Sequence, residues 1–282
     1  MAMERSDDSK ILQRLEEWAQ RNGSLPPVIE TYEKLLRLQS EARSRLIVQQ
    51  PDLTKEAALS QLSQGIPLLK FEELPLDWPT VQNLFRAVAL ILTEHNSDNR
   101  RDTKALGNIA SDTSLLQQSA RDWYQGHSLS PIAAQNHISE KLLSNIIQAT
   151  LRPFLMAHSE ALSKLIKQEI WRRKNCPVCG GNPDFASLDK DQGARWLMCS
   201  RCDTQWLFQR LQCSSCGTQD HDALAYLTDD EGLYRIYTCE KCQSYIKAID
   251  LRKTGSEVLL PLERILTSDL DRQATEKGYK SV

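Results

Sequence analysis

All eight cysteines of this 282-residue chain lie between Cys176 and Cys242, as four Cys-x-x-Cys pairs. The pairs are Cys176/Cys179, Cys199/Cys202, Cys213/Cys216 and Cys239/Cys242, separated by 19, 10 and 22 residues. Two thiolates three positions apart on a tight turn can face one point and bind one ion. A second such turn completes a tetrahedral site, with metal–sulfur bonds of about 2.3 Å. The outer gaps of 19 and 22 residues sit at or just beyond zinc-ribbon spacing, whereas the middle gap of 10 suits a linker. The spacing therefore assigns Cys176, Cys179, Cys199 and Cys202 to one metal site and Cys213, Cys216, Cys239 and Cys242 to a second.

Metal is also what such a region needs in order to fold. Residues 176–210 offer few large apolar side chains beyond Phe185, Leu188, Trp196, Leu197, Met198, Trp206, Leu207 and Phe208, and 211–250 a similar few. A unit of about 40 residues rarely buries enough surface to fold alone. A structural zinc site supplies roughly 10–16 kcal/mol at neutral pH, more than the ordinary stability of a small domain. Gly180 and Gly217, each directly after the second cysteine of a pair, let backbone amides turn toward the sulfurs. Four sulfurs suit zinc or iron, so the two ions are expected to be one or the other. His221 follows Cys216 by five residues but reads as an exposed turn histidine, because the site already has four sulfurs.

From Cys176 onward, short alternating runs read as strands: Arg195–Met198, Gln205–Phe208, Ala223–Leu227, Leu233–Thr238 and Tyr245–Ile249. Each half then has the order turn, hairpin, turn, hairpin of a rubredoxin-like zinc ribbon. After Arg252 come a short helical pattern, Val258–Leu270, and a polar tail.

Residues 1–172 contain no cysteine and read as helix nearly throughout. Helices are expected over 8–21, 28–48, 55–64 (capped by Thr54, closed by Gly65), 80–95 and 102–125. Ser130-Pro131 reads as an N-cap and N1 pair opening a helix that Pro153 should kink or divide. The proline-bearing connection Gly65–Pro79 carries enough apolar residues to lie packed against helices. The expected fold is thus multidomain α plus small β. A multihelical domain over 1–172 precedes two tandem rubredoxin-like (zinc-ribbon-like) metal-binding modules, over 173–210 and over 211–282 with the C-terminal tail.

Composition narrows the function. The amino terminus is charged and shows no apolar leader, and no run approaches a membrane span, so a cytoplasmic protein is expected. Formal net charge is −2 with neutral cysteines. Eight thiolates holding two divalent ions would bring it to about −6. Over 171–253, 12 Lys/Arg face 11 Asp/Glu, without the basic excess that a nucleic-acid-binding tandem ribbon, the alternative reading, would need. A thiol–disulfide enzyme would need a lowered thiol pKa at a helix start, and no thioredoxin-like strand–helix context surrounds any pair. No phosphate loop, nucleophile elbow or His-x-x-x-His motif occurs in the helical part, so the chain is expected not to be an enzyme. Its apolar helical faces leave room for a homodimer.

These residues carry a resemblance. Cys176-Pro177-Val178-Cys179-Gly180-Gly181-Asn182-Pro183 and Arg195-Trp196-Leu197-Met198-Cys199-Ser200-Arg201-Cys202 with Trp206 resemble the FdhE family of bacterial formate dehydrogenase accessory proteins. So do Cys213-Ser214-Ser215-Cys216-Gly217, Tyr237-Thr238-Cys239-Glu240-Lys241-Cys242 and Tyr245-Ile246-Lys247, together with Gly65-Ile66-Pro67-Leu68-Leu69. The resemblance spans most of the chain, with its specific motifs in 176–247. It implies a cytoplasmic maturation factor required for active respiratory formate dehydrogenase, binding the molybdenum- or tungsten-containing catalytic subunit before export. It also gives weight to iron in the cysteine sites and opens a redox role for them.

Overall fold

The computed structural model describes residues 7–46, 53–94 and 99–282. They form two compact units, one within residues 1–49 and 70–158, the other within 50–69 and 159–282.

The first unit is helical. Helix α1 (Asp7–Asn22) buries Ile11 and Leu15, and α2 (Pro27–Ser44) buries Ile29 and Leu36. Arg43 Nη2, partly buried, lies 2.9 Å from the buried Asp8 Oδ2 and ties them. Helix α3 (Lys55–Gln64) belongs to the second unit; Thr54 caps its start and Gly65, at φ 77°, ends it. Helix α4 (Trp78–Thr93) begins at Asp77, whose carboxylate accepts from Thr80 N at 3.0 Å, and buries Val81, Leu84, Phe85 and Val88.

The helix expected over 102–125 is instead two. Asp112 leaves helical geometry (φ −92°, ψ 99°) between α5 (Asn99–Ser111) and α6 (Thr113–Gln125), and its carboxylate caps Leu115 N at 3.0 Å. A side chain that competes for backbone donors starts a new helix rather than lying within one. Ser130 does not act as an N-cap: it is the first residue of α7 (Ser130–Gln135), and its hydroxyl donates to Glu140 Oε2 at 2.5 Å. Glu140 also accepts from Leu129 N and Ser128 Oγ, each at 2.8 Å, so the carboxylate that opens α8 (Glu140–Leu162) holds the start of α7. Helix α8 continues across Pro153 without dividing. The expected residues 47–48 and 95 at helix ends lie outside the described residues.

The second unit is built on one sheet. Its strands are β1 (Pro183–Leu188), β2 (Arg195–Cys199), β3 (Gln205–Phe208), β4 (Leu224–Thr228), β5 (Tyr234–Cys239) and β6 (Ser244–Asp250). They lie in the order β3-β2-β1-β6-β5-β4. Every neighbouring pair is antiparallel except β1–β6, which is parallel, with Phe185 opposite Lys247. The second three-stranded meander therefore repeats the first by translation. Strands β1, β4 and β6 run the same way, so all four cysteine pairs emerge at the same end of the sheet.

The C-terminal residues are not a free tail. Helices α9 (Leu260–Leu266) and α10 (Ser268–Glu276) cover one sheet face, and β7 (Lys280–Ser281) pairs with β6 beyond the end of β1. Leu260 packs with Phe185, Met198 and Ile249, and Ala274 with Ile236 and Tyr245. Buried Lys247 donates to Arg264 O at 2.8 Å, Thr267 O at 3.2 Å and Asp271 Oδ2 at 2.6 Å, which fastens both helices. On the other face Asp250, fully buried, takes Arg235 at 2.7 Å and Arg252 at 2.6 Å. Among the described residues, no helix is long and apolar enough to cross a membrane.

Candidate metal centres

The structure gathers the eight cysteines into the two predicted sets. In the first, Cys176 Sγ lies 3.6 Å from Cys202 Sγ, and Cys179 Sγ lies 3.5 Å from both Cys199 and Cys202. In the second, Cys213–Cys242 is 3.7 Å and Cys216–Cys239 is 3.8 Å. A tetrahedron with metal–sulfur bonds of about 2.3 Å has edges of about 3.8 Å, so both sets are spaced for one ion each. His221 is an exposed residue of a 3-10 turn and belongs to neither set.

The knuckles are shaped by the backbone. In the first, Gly180 sits at φ 71° and Val178 N points at Cys176 Sγ, 3.4 Å away. In the third, Gly217 sits at φ 78° and Ser215 N points at Cys213 Sγ, 3.3 Å away. The second and fourth knuckles make the same turn without glycine: Asp203 and Gln243 hold φ 56° and 51°. Left-handed geometry costs a non-glycine residue about 1–2 kcal/mol, which the surrounding fold must outweigh. Asp203 is held by Arg264, 3.1 Å away, and Gln243 by the carbonyl of Glu240, 2.8 Å away.

Two hydroxyls complete the clusters and have no signature in the cysteine spacing. Thr204 Oγ1 lies 3.1 Å from Cys202 Sγ, and Ser244 Oγ lies 2.9 Å from Cys242 Sγ. Each stands two residues after the last cysteine of its set. The connection after α3 also takes part: Leu68 N and Leu69 N donate to Pro177 O and Val178 O, both at 2.9 Å, bracing the first knuckle.

The clusters differ in exposure. All four sulfur-bearing residues of the first are buried, while Cys216 is exposed and Cys242 partly so in the second. Burial drives the Cys176 thiol well above its ordinary range, and neighbouring sulfurs add to the shift. In the second set burial pushes Cys239 up to about 12. Burial also opposes ionisation of Cys242, but the Ser244 hydroxyl and three adjacent sulfurs outweigh it and bring that thiol to about 6. Sulfurs packed this closely cannot all carry charge without a cation among them. An all-sulfur tetrahedron fits zinc or iron and suits hard, oxygen-seeking ions poorly. The two clusters could thus hold two metal ions.

Comparison with known proteins agrees with this architecture. The family model described as "FdhE, central domain" matches residues 175–210, the first cluster and its strands. A protein named "Protein FdhE homolog" from Aquifex aeolicus is 33% identical over 227 residues, covering 79% of this chain and 75% of that protein. One of the same name from Shewanella oneidensis is 29% identical over 126 residues, 42% of this chain and 39% of that protein. The crystal structure of the FdhE protein from Pseudomonas aeruginosa shares the fold, with a TM-score of 0.61 over 98% of this chain and 92% of that one, at 21% identity. A third of the residues shared with the Aquifex protein over more than two thirds of both chains sets the family: this chain belongs to the FdhE family.

Proposed function

We propose that the protein is a non-catalytic maturation factor for formate dehydrogenase, acting in the cytoplasm on the enzyme's catalytic subunit before assembly is complete. The observation that carries this reading is the pair of tetrahedral four-sulfur clusters at one end of a single sheet, in a chain of the FdhE family. In it, Cys176, Cys179, Cys199 and Cys202 ligate one ion and Cys213, Cys216, Cys239 and Cys242 a second, in modules spanning 173–210 and 211–282. The four-sulfur sets suit iron as well as zinc, and iron would allow each centre to take up and release one electron.

The cluster asymmetry supports a division of labour. The enclosed first centre suits a structural role. The second, with Cys216 at the surface, suits contact with a client or a redox partner.

The reading is tested in a strain lacking the protein. Respiratory formate dehydrogenase activity should fall to background and return with the wild-type chain. It should not return with the Cys213→Ser/Cys216→Ser variant, while the catalytic subunit should co-purify with the wild-type protein. Full formate dehydrogenase activity in the deletion strain would overturn it.

A further inference from the structure

Strand β4 has only β5 as a partner among the described residues, and it forms the edge of the sheet. Its ladder shows which groups are spent. Glu240 N donates to Ala223 O and Asp229 N to Tyr234 O. In an antiparallel ladder such pairs recur every second residue, so Ala225 and Leu227 also face β5. The C=O of Leu224 and the N–H and C=O groups of Tyr226 and Thr228 therefore point outward, away from the sheet, while the Leu224 N–H is spent on His221 O. Residues 225–231 are exposed throughout, with Tyr226 at 55% and Leu227 at 43%.

Natural edges are usually blunted by lysine, proline or a bulge. This one carries none: Leu224-Ala225-Tyr226-Leu227-Thr228 is uncharged and rich in strand formers. Beside it lies a cavity of about 160 Å³ walled by Leu211, Leu224, Tyr226, Tyr237 and Ile246. A space near 150 Å³ holds one aromatic ring. Leu211, 62% exposed, stands at its rim.

Charge selects the occupant. From residue 211 to 234 the chain has no lysine or arginine but carries Asp220, Asp222, Asp229, Asp230 and Glu231, placed at the two ends of β4. A second copy paired antiparallel about Tyr226 would set Asp222 opposite Asp230 twice, and like charges across a strand pair are destabilising. The arginines on the cavity wall, Arg195 and Arg210, favour an apolar side chain or ring over a lysine inside it. We propose that the β4 edge binds an extended segment of another protein by strand addition, one with an apolar centre, an aromatic or branched side chain for the cavity, and lysine or arginine at both ends. This inference stands apart from the reading of function above, because it concerns the segment's chemistry rather than its owner.

The test titrates a labelled peptide, Lys-Lys-Thr-Val-Thr-Phe-Thr-Val-Lys-Lys, into the full chain as purified. A companion peptide has glutamates in place of the lysines. Saturable binding is expected, weakened about tenfold by high salt and by the glutamate ends. The amides of Tyr226 and Thr228 should gain protection from hydrogen exchange. Tyr226→Pro removes an outward donor without touching the β5 ladder; it and the exposed double change Asp230→Lys/Glu231→Lys should each weaken binding on the order of tenfold. Unchanged metal content and circular dichroism show that the variants are folded. Absence of binding, equal binding of both peptides, or indifference to both variants would overturn the proposal. So would self-association of the chain that Tyr226→Pro abolishes.

Discussion

The Oγ of Ser244 lies 2.9 Å from the Sγ of Cys242. It is the shortest polar contact to any sulfur in the two clusters, and Thr204 repeats it at 3.1 Å from Cys202. A hydroxyl that donates to a ligating thiolate spreads its charge and fixes its direction. Replacing Ser244 with alanine is expected to lower affinity at the second centre by about 10- to 100-fold and leave the first unchanged. Competition with a chromophoric chelator, resolved by native mass spectrometry, measures both.

The difference in enclosure should appear as an order of metal loss. Cys216 is exposed while Cys176, Cys179, Cys199 and Cys202 are all buried. Chelation is expected to pass through a long-lived species with one ion per chain, its free thiols mapping by alkylation to Cys213, Cys216, Cys239 and Cys242. Loss of the second ion should then unfold the β1–β3 meander, because a module this small depends on its metal. Simultaneous loss of both ions would contradict the assignment.

Gly181 bears on the first centre through space rather than through conformation. A Cβ there would meet Cys199 Sγ at 3.1 Å and Arg201 Cδ at 2.7 Å. Arg201 can swing away, but a sulfur held in a tetrahedron cannot. Gly181→Val should therefore cost about 1–3 kcal/mol of overpacking. If that strain falls on the metal-bound form, affinity at the first site drops by one to two decades. The chelator competition reads this directly.

Asp250 predicts a pH dependence. The Arg252 guanidinium, with Arg235 beside it, holds this buried carboxyl below the ordinary carboxylate range. A depressed folded-state value means that the stabilisation is present above about pH 4 and is lost as pH falls through the folded value. Asp250→Asn should cost about 3 kcal/mol at neutral pH, since it leaves the Arg235 charge uncompensated. The gap in Tm between variant and wild type should narrow steadily below about pH 4. A gap independent of pH would place the effect elsewhere.

How much of this was legible depended on whether the signal was local. The cysteine pairing could be read from spacing because Cys-x-x-Cys geometry is set within four residues. Thr54 and Gly65 bracket α3 by rules acting within one turn, and the helix runs between them as expected. Strand β1 escaped because Pro183-Asp184-Phe185-Ala186-Ser187-Leu188 lacks clean alternation: Phe185, Ala186 and Leu188 are all buried, between β2 and β6 and under α9. A strand enclosed on both faces has no polar side to betray it. Lys280-Ser281 could not announce a strand either, because its pairing with Ser244-Tyr245 depends on residues far away in the chain. Thr204 and Ser244 stand just before the expected strands Gln205–Phe208 and Tyr245–Ile249, and only the meeting of sulfurs gives their hydroxyls a task.

The parallel seam between β1 and β6 sets a timetable for synthesis. Residues 183–188 leave the ribosome early, but the edge that shelters them, residues 247–250, follows some sixty positions later. Throughout that interval the leading meander, even with its ion in place, shows an open flank to everything else in the cell. Early metal delivery alone would not protect it, and a nascent chain stalled between the two strands is the form most exposed to mispairing.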